Sequence, residues 1–354
     1  MKTIITVTGI RPDFIRMSEI FKKLDENFNH ILIHTGQHYD KLLSDVFFDE
    51  LEIRDPDYNL NIGAGNKEHF HQTGELSIKL IELIRNEKLN PDLIVFLGDS
   101  NSVVSSVSLK KEGYKIAHIE AGMRSYDKRM LEEINRIVCD HCSDFLFVYH
   151  DNYKKKAIKE NIPNENIFVV GNTIVEVVTK FKPLYPKKNN KIILDIHRPE
   201  NFKHKKRLEN IIEFTNQISE RYQLPVEMLG FSRTLRKIEE FEIDLGNIKV
   251  VELHPFRKYI NEVYNSSFII SDSGTAQEEP ALLDTPVLVP RDFTERPESV
   301  ENLCSMMIDV NEINNMIYDE VQSWINTKFA NKKTEWLGDG NTSTKIINIL
   351  KEKL

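Results

Sequence analysis

Residues 3–24 read TIITVTGIRPDFIRMSEIFKKL and contain one complete unit of the pattern that decides the fold. The unit opens with a short apolar, β-rich run at Thr3–Val7, which is typical of a buried strand. Apolar residues then recur at helical spacing, at Phe14, Met17, Ile20, Phe21 and Leu24. A short strand followed by an amphipathic helix predicts βαβ units and a parallel sheet that is covered on both faces.

The same alternation of strand and helix patterns continues through the chain. In the first half, strands are predicted at Thr3–Val7, Ile31–His34, Leu93–Leu97, Ile116–Ile119, Phe145–Val148 and Phe168–Val170. In the second half, they are predicted at Ile192–Ile196, Val226–Leu229, Val250–Leu253, Phe268–Ser271 and Val287–Val289. Between the halves, residues 183–190 read PLYPKKNN, and two prolines with a polar tail are typical of a linker.

The predicted fold is therefore α/β, with two Rossmann-like doubly wound domains. The first domain covers residues 1–182, the linker 183–190 and the second domain 191–335, while 336–354 ends in an amphipathic helix. Ligands of such sheets bind at the carboxyl ends of the strands. Two halves that face each other would form a deep cleft lined by the loops that follow the strands.

Composition narrows the class of protein. The 354 residues carry a formal net charge of −8, so no basic surface predicts binding to nucleic acid or to an anionic membrane. The N-terminal apolar run is too short for a signal sequence, and no later run approaches a membrane span. Three cysteines form no disulfide framework, which favours the cytoplasm. We interpret Cys139 and Cys142 as ordinary helix residues.

Histidine spacing predicts no metal site. The candidates considered in the first half are His34, His38, His69 and His71. Their separations match no established ligand pattern, so no metal site is predicted.

Two loops after predicted strands have the chemistry to bind a diphosphate. Gly9 permits a tight turn after the first strand, and Arg11 at the start of the helix could contact a phosphate in a bidentate manner. In the second half, Ser273, Gly274 and Thr275 precede a predicted helix that carries Glu278 and Glu279, and a carboxylate there is a candidate ligand for ribose hydroxyls. The structural alternatives are a plain strand-to-helix turn with a solvated arginine and a serine N-cap.

Acidic residues also follow the buried strands of the first half. Asp99 and Glu120 come directly after two of these strands, and Glu132 and Glu133 lie a dozen residues later. Acids brought together raise one another's pKa values, which suits proton transfer at carbon. The alternative is a set of helix caps and structural ion pairs with Arg124, Arg129 and Arg136. In the second half, His197 and Arg198 follow the first strand.

Taken together, these motifs resemble one enzyme family. Their order along the chain matches that of the non-hydrolysing UDP-N-acetylglucosamine 2-epimerases. The matching stretches are GIRP at 9–12, TGQH at 35–38, GDS at 98–100, HIEAGMR at 118–124, EEINR at 132–136, GNT at 171–173, HR at 197–198 with EN at 200–201, SDSGTAQEE at 271–279 and TERPE at 294–298. The resemblance covers essentially the whole chain.

The resemblance implies an isomerase with two Rossmann-like domains in the glycosyltransferase-B arrangement. It also implies a homodimer, a UDP-sugar substrate, a C-terminal helix that returns to the first domain, and no metal or nicotinamide. In this family, C2 of a UDP-2-acetamido sugar is inverted. A base removes the C2 proton as UDP leaves C1, and UDP then adds back to the 2-acetamidoglycal with protonation from the other face.

The resemblance also assigns roles to residues. The catalytic group is Asp99, Glu120, Glu132 and His197, with the base and the acid among the three carboxylates and His197 stabilising the leaving diphosphate. Substrate-binding residues are Arg11, Arg136, Arg198, Ser273, Gly274, Thr275, Glu279 and Arg296. Within this set, Arg136 anchors the acids, Glu279 holds the ribose, and Arg11, Ser273, Gly274, Thr275 and Arg296 hold the phosphates.

Several positions depart from the family pattern and leave the sugar open. Thr275 stands where a second glycine is usual, and Pro199 where a further arginine is common. Asp40 and Phe231 occupy positions that carry ligands of an allosteric UDP-sugar in some members, so that second site also stays open.

Alternatives within and outside the family therefore remain. The same chemistry could act on a 6-deoxy-L-hexose, such as UDP-N-acetyl-L-rhamnosamine or the L-fucosamine precursor, or on a diacetamido uronate. A hydrolysing epimerase, a glycosyltransferase of the same architecture and a non-catalytic UDP-sugar sensor are the other readings.

Overall fold

The structure is a computed structural model that describes residues 1–36, 48–63, 68–127, 130–311, 313 and 315–354. The predictions made for His38, Asp40 and Arg129 lie outside the described residues. The chain divides into two units. The first comprises Met1–Val177 and Leu337–Leu354, and the second comprises Val178–Trp336.

The first unit contains a seven-stranded parallel sheet with strand order β3-β2-β1-β4-β5-β6-β7. Its strands are β1 (Thr3–Thr8), β2 (Asn29–His34), β3 (Tyr58–Asn59), β4 (Leu93–Leu97), β5 (Ile116–Ile119), β6 (Phe145–Val148) and β7 (Ile167–Val169). Its helices are α1 (Arg11–Asn27), α2 (His69–Asn86), α3 (Ser106–Lys111), α4 (Glu132–Cys142), α5 (Asp151–Lys159), the start of α6 (Ile174–Phe181) and, from the end of the chain, α14 (Thr342–Lys353). Helix α14 packs against α1.

The second unit contains a six-stranded parallel sheet with strand order β10-β9-β8-β11-β12-β13. Its strands are β8 (Ile192–Asp195), β9 (Val226–Leu229), β10 (Lys249–Val251), β11 (Phe268–Ser271), β12 (Val287–Val289) and β13 (Met306–Met307). Its helices are α7 (Pro199–Phe202), α8 (Lys205–Tyr222), α9 (Ser232–Glu240), α10 (Phe256–Asn265), α11 (Glu279–Leu282), α12 (Pro297–Glu301) and α13 (Asn315–Ser323). A π-helical segment, Trp324–Lys328, follows α13.

Helix α2 shows how the apolar pattern builds the core. Its buried residues are Leu76, Leu80 and Ile84, which are spaced four apart and therefore lie on one face of the helix. They pack in the same cluster as the wholly buried strand β4. Burying each such side chain stabilises the fold by about 1.5–3 kcal/mol. Leu80→Ala would remove about 2–5 kcal/mol, because the rigid sheet cannot collapse into the cavity.

The α/β class with two parallel sheets is confirmed. Each strand predicted from the sequence is present, and no end is displaced by more than two residues. Strands β3 and β13 were missed because each has two residues, too few to show a period. Among the described helices, none combines the length and the apolar content needed to cross a membrane.

Candidate functional site

The acids of the first unit lie at the carboxyl ends of neighbouring strands. In the sheet, β4 lies between β1 and β5. Arg11 follows β1 as the first residue of α1, Asp99 follows β4 and Glu120 follows β5. Since parallel strands present their carboxyl ends at one edge, the topology groups residues that are far apart in sequence.

Asp99 is anchored by helix α4. The guanidinium of Arg136, which is 1% exposed, forms an ion pair with the Asp99 carboxylate. The neighbouring Asn135 donates from Nδ2 to the Asp99 carbonyl oxygen at 2.8 Å. The structure thus places Arg136 as the anchor of one acid, while Glu132, half-buried, begins the same helix.

Glu133 has a structural partner set. Its carboxylate accepts from the backbone N–H groups of Ser125 and Tyr126, each at 3.0 Å. These contacts hold the loop before α4. The negative charge of Glu133, in the first turn, also interacts favourably with the positive end of that helix. Glu133 therefore matches the structural alternative rather than a proton-transfer role.

Glu120 is held in an unusual backbone conformation beside a buried arginine. Its φ is +68°, in the left-handed region that residues other than glycine rarely adopt. Arg16 Nη1 donates to Glu120 Oε2 at 2.7 Å, and both side chains are buried. Sequence reasoning missed Arg16. The available signal was a basic residue next to the apolar positions Ile15 and Met17 of α1.

A buried network lies behind the two acids and joins the ends of β4 and β5. His118 Nε2 donates to the Gly98 carbonyl at 2.7 Å, and Nδ1 donates to Asp140 Oδ1 at 2.7 Å. Asp140 Oδ2 in turn accepts from the Gly122 N–H. The network therefore fixes the turns that present Asp99 and Glu120.

His118 is charged in this network. A carbonyl and a carboxylate only accept, so both ring nitrogens must carry a proton. Burial acts to lower the pKa of His118, but Cys139 and Asp140 outweigh it, and the pKa lies well above its ordinary value. Arg124 donates to the same Asp140 carboxylate, so its partner differs from the candidate acids named in the sequence alternative.

A third carboxyl group, Asp13, lies beside the two acids. It is buried in the first turn of α1, and its Oδ2 accepts from the Gly9 N–H at 3.4 Å. Burial raises the pKa of Asp13 well above its ordinary value, and the charges of Asp99 and Glu120 raise it further. Asp13 directly follows the GIRP motif, but nothing in the sequence indicated its burial.

In the second unit, two aspartates position His197 and Arg198. His197 Nδ1 donates to Asp195 Oδ1 at 2.9 Å, and Asp272 accepts from the backbone N–H groups of His197 and Arg198, each at 3.0 Å. Burial lowers the pKa of His197, but Asp195 and Asp272 raise it more, so the net shift is upward.

The side chains of Asp195, His197 and Asp272 are close enough together to hold a metal ion. Ligand atoms of Asp195, His197 and Asp272 lie within 4.8 Å of one another. Their oxygens already accept hydrogen bonds, since Asp195 also accepts from Ser271 Oγ and Asp272 from Asn201 Nδ2. The arrangement therefore suits orientation of the histidine better than coordination of an ion.

The helix predicted after Ser273 is shorter than expected. Residues Thr275–Gln277 form one 3-10 turn, and α11 that follows has four residues. A helix this short supplies little dipole, so the contribution expected from a helix dipole is small here. What the loop offers is its backbone amides and the hydroxyls of Ser273 and Thr275, whose oxygens lie 3.2 Å apart.

Beneath this loop lies a buried cluster of charges. Arg296 Nε lies 2.8 Å from Glu278 Oε1, and the guanidinium also pairs with Glu295. Gly274 is needed above the cluster, because a Cβ there would lie 2.6 Å from Glu295 Oε1 and 2.7 Å from Arg296 Nη1. Glu279 is buried at the start of α11. The structure therefore gives Arg296 carboxylate partners, and its contact with phosphate stays a prediction.

Comparison with known proteins identifies similar chains. Residues 22–351 match the family model described as UDP-N-acetylglucosamine 2-epimerase. A UDP-N-acetylglucosamine 2-epimerase of Methanocaldococcus jannaschii is 34% identical over 97% of this chain and 97% of its own length. A UDP-2,3-diacetamido-2,3-dideoxy-D-glucuronate 2-epimerase of Pseudomonas aeruginosa is 32% identical over 98% of this chain and 99% of its own.

A solved structure agrees with these matches. The crystal structure of the Methanocaldococcus jannaschii UDP-GlcNAc 2-epimerase in complex with UDP-GlcNAc and UDP superposes with a TM-score of 0.90 at 33% identity. The superposition covers 99% of each chain.

Proposed function

The chain belongs to the UDP-N-acetylglucosamine 2-epimerase family of isomerases, and on that premise we propose that it inverts C2 of UDP-N-acetylglucosamine. One observation in the first unit supports this chemistry above the others. Asp99 and Glu120 follow adjacent strands, and each is held by a buried arginine. Inversion at carbon needs a proton to leave from one face and to return on the other, and two separately anchored carboxyl groups can perform these tasks.

The proposed reaction is an elimination followed by re-addition. A carboxylate takes the C2 proton while the C1–O bond breaks, which gives a 2-acetamidoglycal and UDP. UDP then forms the C1–O bond again as a second carboxyl group protonates C2 from the opposite face. Asp99, Glu120 and Glu132 are the candidate base and acid. Because C2–H is a weak acid, stabilisation of the leaving diphosphate must accompany its removal.

The second unit has suitable groups for the nucleotide. We assign the diphosphate to the amides and hydroxyls of Ser273, Gly274 and Thr275. His197 and Arg198, held by Asp272, add donors and positive charge. In this assignment Glu279 holds the ribose, and Arg11 and Arg296 also bind the phosphates. A homodimer is the expected assembly.

Incubation with UDP-N-acetylglucosamine in deuterated water tests the proposal. Conversion to the C2 epimer with deuterium at C2 is expected, with UDP retained in the product. Asp99→Asn and Glu120→Gln should each lower turnover by at least about a hundredfold, which is the usual contribution of acid–base catalysis. Glu165→Gln, which changes an exposed acid of the same unit, is the matched control. No exchange of C2–H in any UDP-N-acetylhexosamine would refute the proposal.

Similarity to one relative makes a diacetamido uronate the second candidate substrate. The Pseudomonas aeruginosa protein acts on a diacetamido uronate and resembles this chain over nearly its whole length. The same assay should therefore include that sugar and UDP-2-acetamido-2,6-dideoxy-L-hexoses. Exchange with one of these sugars and none with UDP-N-acetylglucosamine would move the assignment to it. Loss of UDP from the product would indicate a hydrolysing enzyme, and transfer to an acceptor without exchange would indicate a glycosyltransferase.

A further inference from the structure

Asn172 carries a buried donor with no acceptor in the described part of the chain. The residue is 1% exposed, and its Nδ2 makes no hydrogen bond. A buried N–H without an acceptor destabilises a fold, so native proteins seldom keep one unless a water, an ion or a ligand satisfies it. Extending the proposed function, we propose that Asn172 Nδ2 donates to the carbonyl oxygen of the substrate's 2-acetamido group and selects sugars that carry it.

The orientation of the Asn172 amide follows from its neighbours. Its Oδ1 accepts from the Ile174 backbone N–H at 3.0 Å and from Arg16 Nη1 at 3.5 Å. Both neighbours are donors, so exchanging the oxygen and nitrogen would oppose donors to donors. The NH₂ group therefore faces away from the two donors that Oδ1 accepts from.

The backbone around Asn172 is held by the returning end of the chain. Its N–H donates to the Leu337 carbonyl at 2.6 Å, and Thr342 Oγ1 donates to the Val170 carbonyl at 3.1 Å. The preceding Gly171 has a φ of +88°, and a Cβ there would lie 3.1 Å from Thr342 Oγ1. A donor on so constrained a loop has a fixed direction, as a specificity contact requires.

Arg16 connects Asn172 to the proposed chemistry. The same Nη1 atom that approaches Asn172 Oδ1 donates to Glu120 Oε2 at 2.7 Å. Asn172 is thus one guanidinium away from a carboxylate proposed to exchange the proton at C2. The acetamido group is the substituent on that carbon, and its neutral carbonyl is a suitable acceptor for a neutral amide donor.

Binding of ligands that differ only at C2 tests this contact. Asn172→Ser keeps an oxygen that can accept from the Ile174 N–H but removes the Nδ2 donor. Displacement of a fluorescent UDP derivative would give the affinities of UDP-N-acetylglucosamine, UDP-glucose and UDP. We expect the variant to bind UDP-N-acetylglucosamine about tenfold more weakly, with UDP-glucose and UDP unchanged. Both C2 epimers carry the acetamido group, so turnover during the assay does not obscure the comparison.

Controls separate this role from a structural one. Asn164→Ser, at an exposed position of the same unit, should leave each of the three affinities unchanged. Asn172→Asp keeps the shape and Oδ1, and it should also lose the preference for the acetamido ligand if the serine variant does not fold. Equal weakening of UDP-glucose, or no weakening at all, would overturn the proposal. Because the readout is binding, an enzyme that fails to epimerise UDP-N-acetylglucosamine would refute the proposed function without deciding this contact.

Discussion

Arg16 Nη1 lies 2.7 Å from Glu120 Oε2, although the two residues are 104 positions apart in the chain. Both side chains are buried, at 2% and 6% exposure, so water screens their charges little. Arg16 extends from α1, which follows strand β1, whereas Glu120 follows strand β5. This pair is what holds one of the two proposed proton-transfer groups in place.

Removing the arginine should destabilise the first unit. Arg16→Met leaves the Glu120 carboxylate buried without its cation, and loss of one partner of a buried pair costs about 3–5 kcal/mol. The urea midpoint for unfolding should fall accordingly. Adding Glu120→Gln should recover much of the loss, because the uncompensated charge is then gone. A midpoint for Arg16→Met equal to that of the unchanged protein would contradict this account.

Asp13 should make stability depend on pH. Burial raises its pKa in the folded state above 3.8, so the folded protein holds this proton more tightly than the unfolded chain. The protonated Asp13 contributes its full stabilisation at pH values below 3.8. This stabilisation is lost as the pH rises towards the raised pKa of the folded state. Asparagine cannot ionise, so the stability of Asp13→Asn relative to the unchanged protein should increase as the pH rises above 3.8.

Urea unfolding at a series of pH values measures the Asp13 effect. Asp55→Asn, at an exposed position, is the control and should show no such trend. A difference between Asp13→Asn and the unchanged protein that stays constant with pH would argue against a raised pKa at Asp13.

Gly274→Ala should damage the nucleotide loop. The added Cβ would meet the buried Glu295–Arg296 pair at under 3 Å, and such overpacking costs about 1–3 kcal/mol. Because the distorted loop is the proposed diphosphate site, the affinity for UDP, measured by calorimetry, should also fall. Gly74→Ala is the contrast, because its Cβ meets nothing within 4 Å in α2 and should stabilise the helix by about 0.5–1 kcal/mol. Unchanged UDP binding in Gly274→Ala would separate this loop from the nucleotide.

Binding of UDP should weaken as His197 loses its proton. Burial opposes the charge, but Asp195 and Asp272 prevail and raise the pKa of His197 above 6.5. The imidazolium therefore persists to higher pH, and the affinity for an anionic diphosphate should fall as the pH rises through that pKa. Asp195→Asn removes a group that raises the pKa, so the fall should move to lower pH.

Calorimetric titrations with UDP at several pH values measure this shift. UDP itself titrates in the same range, but it does so identically for both proteins, so the difference in midpoint reports on His197. Coincident pH profiles for Asp195→Asn and the unchanged protein would exclude His197 from diphosphate binding.

The periodicity of apolar residues within short segments predicted the fold class and placed most motifs in the loops that follow strands. The run Leu93–Leu97 is wholly apolar and short, so it predicts a strand buried on both faces, and the structure has it there. The same reasoning placed Asp99 and Glu120 after strands, because the period of the pattern ends just before them. The helix after Ser273 is short because Pro280 keeps the preceding 3-10 turn from joining it, and the chain leaves helical geometry at Asp284, whose φ is +57°.

Partners across the sheet were decided only by the tertiary structure. Whether a charged residue of α1 faces the core or solvent depends on how the helix packs, so Asp13 and Arg16 became visible as buried groups only in three dimensions. The donor of Asn172 and the contact of His118 with Gly98 likewise depend on strand order. The sequence by itself determined the elements and the chemistry at their ends. Folding determined the pairs, because burial and contact are properties of residues far apart in the chain.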